Sequence, residues 1–340
     1  MKKAFLLILS IAVLAQTASA FEDKVVMVRS QKMDKDVPVT IVTPDSYDGS
    51  VPMPVLYLLN GWSGDHRHWL ERGKVGCLAD RYEVILVMPD TGYDSWYFDS
   101  KVTPEYQYET FVSNELVEYV DSNYKTIADR CGRAVTGLSM GGHGALFLAF
   151  RHQDVYGSAG SMSGGVDIRP FPEKWGISKR LGTIEENPQA WEENTVINLT
   201  HLLKPDSLNL IIDCGTGDFF YEVNCNLHKK LLDQGIPHDF ISRPGVHNWP
   251  YWSNSINAMF SSFLLRAAVF TRAYSCSTAY TFSRNRRGRD RSDRLSFPSC
   301  GRDPFSPAPR PYWCRSPVRP ARARRAPAPG HGTWSGRSLP

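Results

Sequence analysis

The chain has 340 residues, 42% hydrophobic and 22% charged, which is enough for one large core or two small ones and excludes a wholly disordered chain, a collagen-like repeat and a multi-span membrane protein. Its net charge of +4 averages two unlike parts: residues 1–266 hold 24 basic and 32 acidic side chains, a net of −8, and residues 267–340 hold 15 Arg and 3 Asp, a net of +12. The part that can fold is acidic, so the overall basic balance is no argument for nucleic-acid binding.

Residues 1–20 read as a signal peptide. Lys2 and Lys3 precede an apolar run from Ala4 to Leu14, too short to span a bilayer comfortably, and Ala18-Ser19-Ala20 is a small-residue cleavage site. The mature chain then begins near Phe21 and is secreted or periplasmic. No Cys follows the small residues, so no lipid anchor and no stable membrane attachment are expected.

Residues 21–266 alternate short apolar runs with amphipathic stretches. Lys24 to Arg29 and Val37 to Val42 read as an antiparallel opening pair of strands. Pro54 to Leu59 and Glu83 to Met88 are nearly continuous apolar runs, as strands buried on both faces require. Tyr108 to Val120 has helical spacing, with Phe111, Val112, Leu116, Val117 and Val120 on one broad face. Arg133 to Gly137 is a short strand, Gly142 to Phe150 a small-residue helix, and Ser158 to Ser161 a further strand. Asp167 to Pro205 is irregular and reads as a partly helical insertion. Leu208 to Ile212 is a strand, Glu222 to Leu232 a helix, His238 to Ser242 a strand, and Tyr251 to Leu265 a final helix. Such alternation implies a mostly parallel central sheet with helices on both faces, an α/β fold whose chemistry sits just beyond the carboxyl ends of the strands.

From residue 267 the composition changes. Arg replaces Lys entirely and ten of the 23 prolines fall here, in segments such as Ser306-Pro307-Ala308-Pro309 that hold neither helix nor ladder. Residues 267–340 are expected to be a disordered basic tail, or a terminus foreign to the natural protein. Of the seven cysteines, Cys77, Cys131, Cys214 and Cys225 lie in the body; export permits disulfides but the spacing selects none, and no zinc-ribbon pattern occurs.

The strongest chemical signal is Gly137-Leu138-Ser139-Met140-Gly141-Gly142. A strand precedes it and a small-residue helix follows, the setting of a nucleophile elbow in which Ser139 is lifted above the sheet. A serine hydroxyl needs a base, and on such a sheet the order is Ser, acid, His. His143 and His152 lie too close behind the elbow to reach back, His201 is in the insertion, and His228 and His238 fall in a helix and at a strand start. His247 follows the last strand and precedes the last helix, where a triad base belongs. The acid should follow the preceding strand, and Asp218 in Gly215-Thr216-Gly217-Asp218 is preferred, with Asp213 the alternative. The oxyanion donors are assigned to the backbone N–H of Met140 and of Trp62 in Asn60-Gly61-Trp62.

These segments, with Ser161-Met162-Ser163-Gly164-Gly165 and Pro244-Gly245-Val246-His247, resemble the esterase family of α/β-hydrolases, which includes S-formylglutathione hydrolases, feruloyl and acetyl-xylan esterases and mycolyltransferases. The resemblance runs from about Val37 to Leu265 and implies the α/β-hydrolase fold, an esterase domain over 21–266 and the triad Ser139, Asp218, His247. Asn60 stands where members often carry His. The implied reaction is acyl-ester hydrolysis through an acyl-enzyme without metal or other cofactor. The substrate is a small-molecule or polysaccharide ester, feruloyl or acetyl by analogy, contacted by Asn60, Gly61, Asp94, Trp96 and Trp249. Two other readings remain: acyl transfer to a sugar at the same site, and a non-catalytic carbohydrate binder on the same scaffold.

Overall fold

The computed structural model of the chain describes residues 21–204 and 206–263. The expected signal peptide and the Arg/Pro-rich tail lie outside these residues.

Eight strands form one sheet. They are β1 (Phe21–Ser30), β2 (Lys35–Pro44), β3 (Val55–Leu59), β4 (Ile85–Pro89), β5 (Arg133–Leu138), β6 (Ser158–Met162), β7 (Asn209–Gly215) and β8 (Asp239–Arg243). Their order is β1-β2-β4-β3-β5-β6-β7-β8. β1 pairs antiparallel with β2, and β2 antiparallel with β4, while every other pair is parallel. This is the α/β-hydrolase arrangement.

The apolar runs are continuous because both faces of the sheet are covered. Along β3, Val55, Tyr57 and Leu59 enter one core while Leu56 and Leu58 enter the other; along β4, Ile85 and Val87 face the first, Leu86 and Met88 the second. The first core is closed by the helix α2 (Leu116–Asn123), by α3 (Met140–Arg151), by α4 (Tyr221–Asp233) and by the insertion. The second is closed by the helix α1 (Gly76–Tyr82) and by Tyr251, Trp252, Ile256, Met259, Phe260 and Phe263 of α5, which starts at 249 and reaches the last described residue.

Two elements differ from the sequence reading. The stretch expected as one helix from Tyr108 is a short α-turn (Tyr108–Thr110), a π-turn (Phe111–Glu115) and α2. The π-turn widens the helix by one residue where Phe111, Val112 and Ser113 are all buried. The helix behind the Gly-rich motif begins at Met140, immediately after Ser139, rather than at Gly142. Among the described residues no helix is long and apolar enough to cross a membrane.

Candidate active site

The site is built at the carboxyl end of β5. Ser139 sits between β5 and α3 with φ 57° and ψ −118°, a conformation that side chains rarely adopt. Close packing leaves no alternative. A Cβ on Gly141 would lie 2.4 Å from the Leu59 carbonyl oxygen, and one on Gly137 would lie 2.5 Å from the Gly141 carbonyl. The two glycines let the turn press against β3, and the turn projects the Ser139 hydroxyl over the sheet edge.

His247 follows β8 by four residues. Its Nε2 is 2.9 Å from Ser139 Oγ and its Nδ1 is 2.8 Å from Asp218 Oδ2. Asp218, in the turn after β7, has a fully buried carboxylate, and its Oδ1 also accepts the Phe220 N–H at 2.9 Å. The acceptor roles fix the tautomer: Nδ1 donates to the carboxylate, leaving Nε2 to accept from the serine hydroxyl. Phe219, Trp252 and Phe220 surround the imidazole at 4.3, 4.9 and 5.6 Å between ring centres.

The alternative acid, Asp213, is committed elsewhere. Its carboxylate is fully buried, pairs with Arg243 at 2.8 Å and accepts the Tyr251 hydroxyl. The five other histidines downstream of Ser139 that the sequence offered as bases are likewise engaged. His143 contacts the Gly165 carbonyl, His152 contacts Glu109, His201 the Asn198 carbonyl, and His228 and His238 contact each other. Burial pushes the His143 imidazole down to about 4, with the Gly165 carbonyl opposing only part of that shift.

Among the described residues, neither the Met140 nor the Trp62 N–H donates a hydrogen bond within the protein. The loop bearing Trp62 is held from below. Asn60 Oδ1 accepts from Thr91 at 2.9 Å, its carbonyl accepts the Tyr97 hydroxyl at 2.8 Å, and its Nδ2 donates to the Gly61 carbonyl at 3.1 Å.

Ser139 and His247 open into a pocket of about 490 Å³, also lined by Gly61, Trp62, Trp175, Phe219 and Trp249. Three residues expected to touch substrate do not line it, and these are corrections. Asn60 is buried and braces the Gly61–Trp62 turn. Asp94 is buried in an ion pair with Arg180, at 2.7 Å. Trp96 is 1% exposed, and its indole N–H donates to the Trp175 carbonyl. Trp96 and Tyr97 both have positive φ, 51° and 65°, and both side chains are buried. The lining residues missed include Trp175, Phe219, His68 and Arg72. Phe219 had a legible signal, since it directly follows Asp218 in a strand-end turn. Trp175 had none, because it comes from the irregular insertion. Among the described residues no group of three or more His, Cys, Asp or Glu side chains is arranged to hold a metal ion.

Comparison with known proteins identifies the family. The Esterase family model matches residues 30–263. An acetyl esterase of Caldicellulosiruptor saccharolyticus is 27% identical over 218 residues, covering 60% of this chain and 80% of the relative. An esterase of Mycobacterium tuberculosis is 36% identical over 238 residues, covering 62% of this chain; the chain spans 52% of that relative's length. Among solved structures, a ferulic acid esterase superposes with a TM-score of 0.64 at 28% identity, covering 74% of this chain and 99% of the other. The chain belongs to the Esterase family, a family of carboxylic-ester hydrolases built on the α/β-hydrolase fold.

Proposed function

We propose that the protein is a serine carboxylesterase with Ser139 as nucleophile, His247 as general base and acid, and Asp218 as the carboxylate that orients the imidazole. The observation that carries this reading is the continuous relay of 2.9 Å and 2.8 Å from the Ser139 hydroxyl through His247 to Asp218. As Oγ attacks the ester carbonyl carbon, its proton passes to His247 Nε2, and the buried Asp218 carboxylate stabilises the imidazolium. The carbonyl oxygen becomes an oxyanion that accepts hydrogen bonds from the Met140 N–H at the start of α3, whose dipole favours negative charge there, and from the Trp62 N–H in the loop after β3. Collapse of the adduct expels the alcohol, which takes the proton from Nε2. Water then repeats the sequence on the acyl-enzyme and releases the acid. Both oxyanion donors are main-chain groups, so Trp62→Ala retains that donor, whereas losing one such donor outright costs about 3–4 kcal/mol in the transition state.

The aromatic lining suits carbohydrate-linked feruloyl or acetyl esters, and residues 1–20 suit an exported enzyme acting on them. The pocket also has room for an acyl group together with an acceptor alcohol, so transfer to a sugar hydroxyl is the second reading. Product analysis with and without a saccharide acceptor separates the two. A purely binding role leaves the hydroxyl–imidazole–carboxylate relay without a use.

The test is turnover of p-nitrophenyl acetate by Ser139→Ala. The variant is expected to lose at least about a thousandfold in kcat while keeping its circular dichroism. Unchanged turnover contradicts the assignment.

A further inference from the structure

We propose that Arg72, with His68 one turn before it, forms an anion subsite within the catalytic pocket, and that the preferred ester carries a carboxylate. This rests on the assignment of Ser139 as nucleophile. His68 opens the short helix His68–Glu71 and Arg72 caps its end, with the Arg72 N–H on the His68 carbonyl at 2.9 Å. Positions four apart share one helix face, so the two basic side chains stand together, and both line the pocket that holds Ser139 and His247.

Three observations point to an anionic ligand. The pocket lining includes no Asp or Glu. Among the described residues the Arg72 guanidinium has neither an ion pair nor a hydrogen bond, whereas nearby Arg67 is paired with Asp65 at 2.8 Å. Residues 21–266 hold 22 basic and 32 acidic side chains, a net of −10, so a basic wall in this pocket runs against the charge of the body around it. A guanidinium fork matches a carboxylate in shape and number of donors, and the stacked Trp175 and Phe219 of the same pocket offer apolar surface for the carbon skeleton that joins that carboxylate to the ester.

The carboxylate can come from the acyl side, as in a dicarboxylic half-ester, or from the alcohol side, as in an acylated uronic or hydroxybenzoic acid. Two substrate pairs distinguish them. The 4-nitrophenyl half-ester of adipic acid is compared with 4-nitrophenyl hexanoate, and 4-acetoxybenzoate is compared with its methyl ester. The readout is the ratio of kcat/KM for the charged member to that for the neutral member, in wild type, Arg72→Gln and Arg72→Lys. In at least one pair Arg72→Gln should lower the ratio about three- to tenfold through KM, Arg72→Lys should restore most of it, and added salt should shrink the wild-type ratio. The pair that responds identifies the side bearing the carboxylate. A ratio unmoved by Arg72→Gln in both pairs overturns the subsite while leaving the esterase intact. A wild type that turns over no member of either pair overturns the Ser139 reading and the subsite with it.

Discussion

Asp94 and Arg180 form an ion pair at 2.7 Å with side chains only 7% and 9% exposed, and it fastens the insertion to the loop that follows β4. The Arg180 guanidinium also lies 3.5 Å from the centre of the Tyr106 ring, and the Ser100 hydroxyl donates to the Arg180 carbonyl. Five residues before Arg180, Trp175 stacks on Phe219, which in turn lies against His247. The pair therefore sets where the aromatic wall stands. Asp94→Ala leaves the buried guanidinium without its carboxylate and should cost about 3–5 kcal/mol in chemical denaturation. It should also raise KM for aryl esters more than it lowers kcat. A stable variant with unaltered KM contradicts this role.

The backbone at Ser139 holds strain that function requires. A residue with a Cβ at φ 57° and ψ −118° costs about 1–3 kcal/mol, and glycine removes that cost. Both Ser139→Ala and Ser139→Gly remove the hydroxyl, so their difference isolates the backbone. Ser139→Gly should be the more stable of the two by about 1 kcal/mol, read as a higher Tm. Equal melting temperatures contradict the strain.

His143 makes the fold sensitive to acid. Burial holds it neutral with a pKa of about 4, below the usual 6.5, so the unfolded chain binds its proton first. The stability associated with neutral His143 is complete above pH 6.5 and is lost progressively as pH falls toward 4, by about 3 kcal/mol across that window. His143→Gln should flatten the fall in stability between pH 7 and pH 4.5 relative to wild type. An identical pH dependence in the two proteins contradicts the assignment.

The two carboxylates on the β7 side should separate activity from stability. Asp218→Asn deprives the imidazole of its acceptor and should lower kcat by about 10³–10⁴-fold with little change in Tm. Asp213→Asn weakens the contacts to Arg243 and Tyr251 and should lower stability by about 3 kcal/mol while sparing most of kcat. Exchange of these two phenotypes would reverse the assignment of the acid.

Much of this architecture is legible in the sequence, for identifiable reasons. Strands buried on both faces must be apolar throughout, so β3 and β4 stand out as runs. A glycine–serine turn between a strand and a small-residue helix has few other uses, and chain order narrows the histidines and carboxylates around it. Side-chain direction in loops is less legible. Asp94, Trp96 and Asn60 lie in strand-end loops, where substrate contacts are expected, yet all three are buried. Each is held inward by a partner that the sequence does not reveal: Asn60 by Thr91, Asp94 by Arg180 and Trp96 by the Trp175 carbonyl. Trp175 has positive φ, 51°, and reaches the pocket from a segment without periodicity. The partner of Asp94 lies 86 residues away, at Arg180.

The most direct measurement is to treat the folded protein with a fluorophosphonate and map the adduct by mass spectrometry, in wild type and in His247→Ala. A single adduct on Ser139, formed far more slowly when His247 is replaced, is the predicted result. An adduct on another residue, or labelling of Ser139 at the same rate without the imidazole, would contradict the relay.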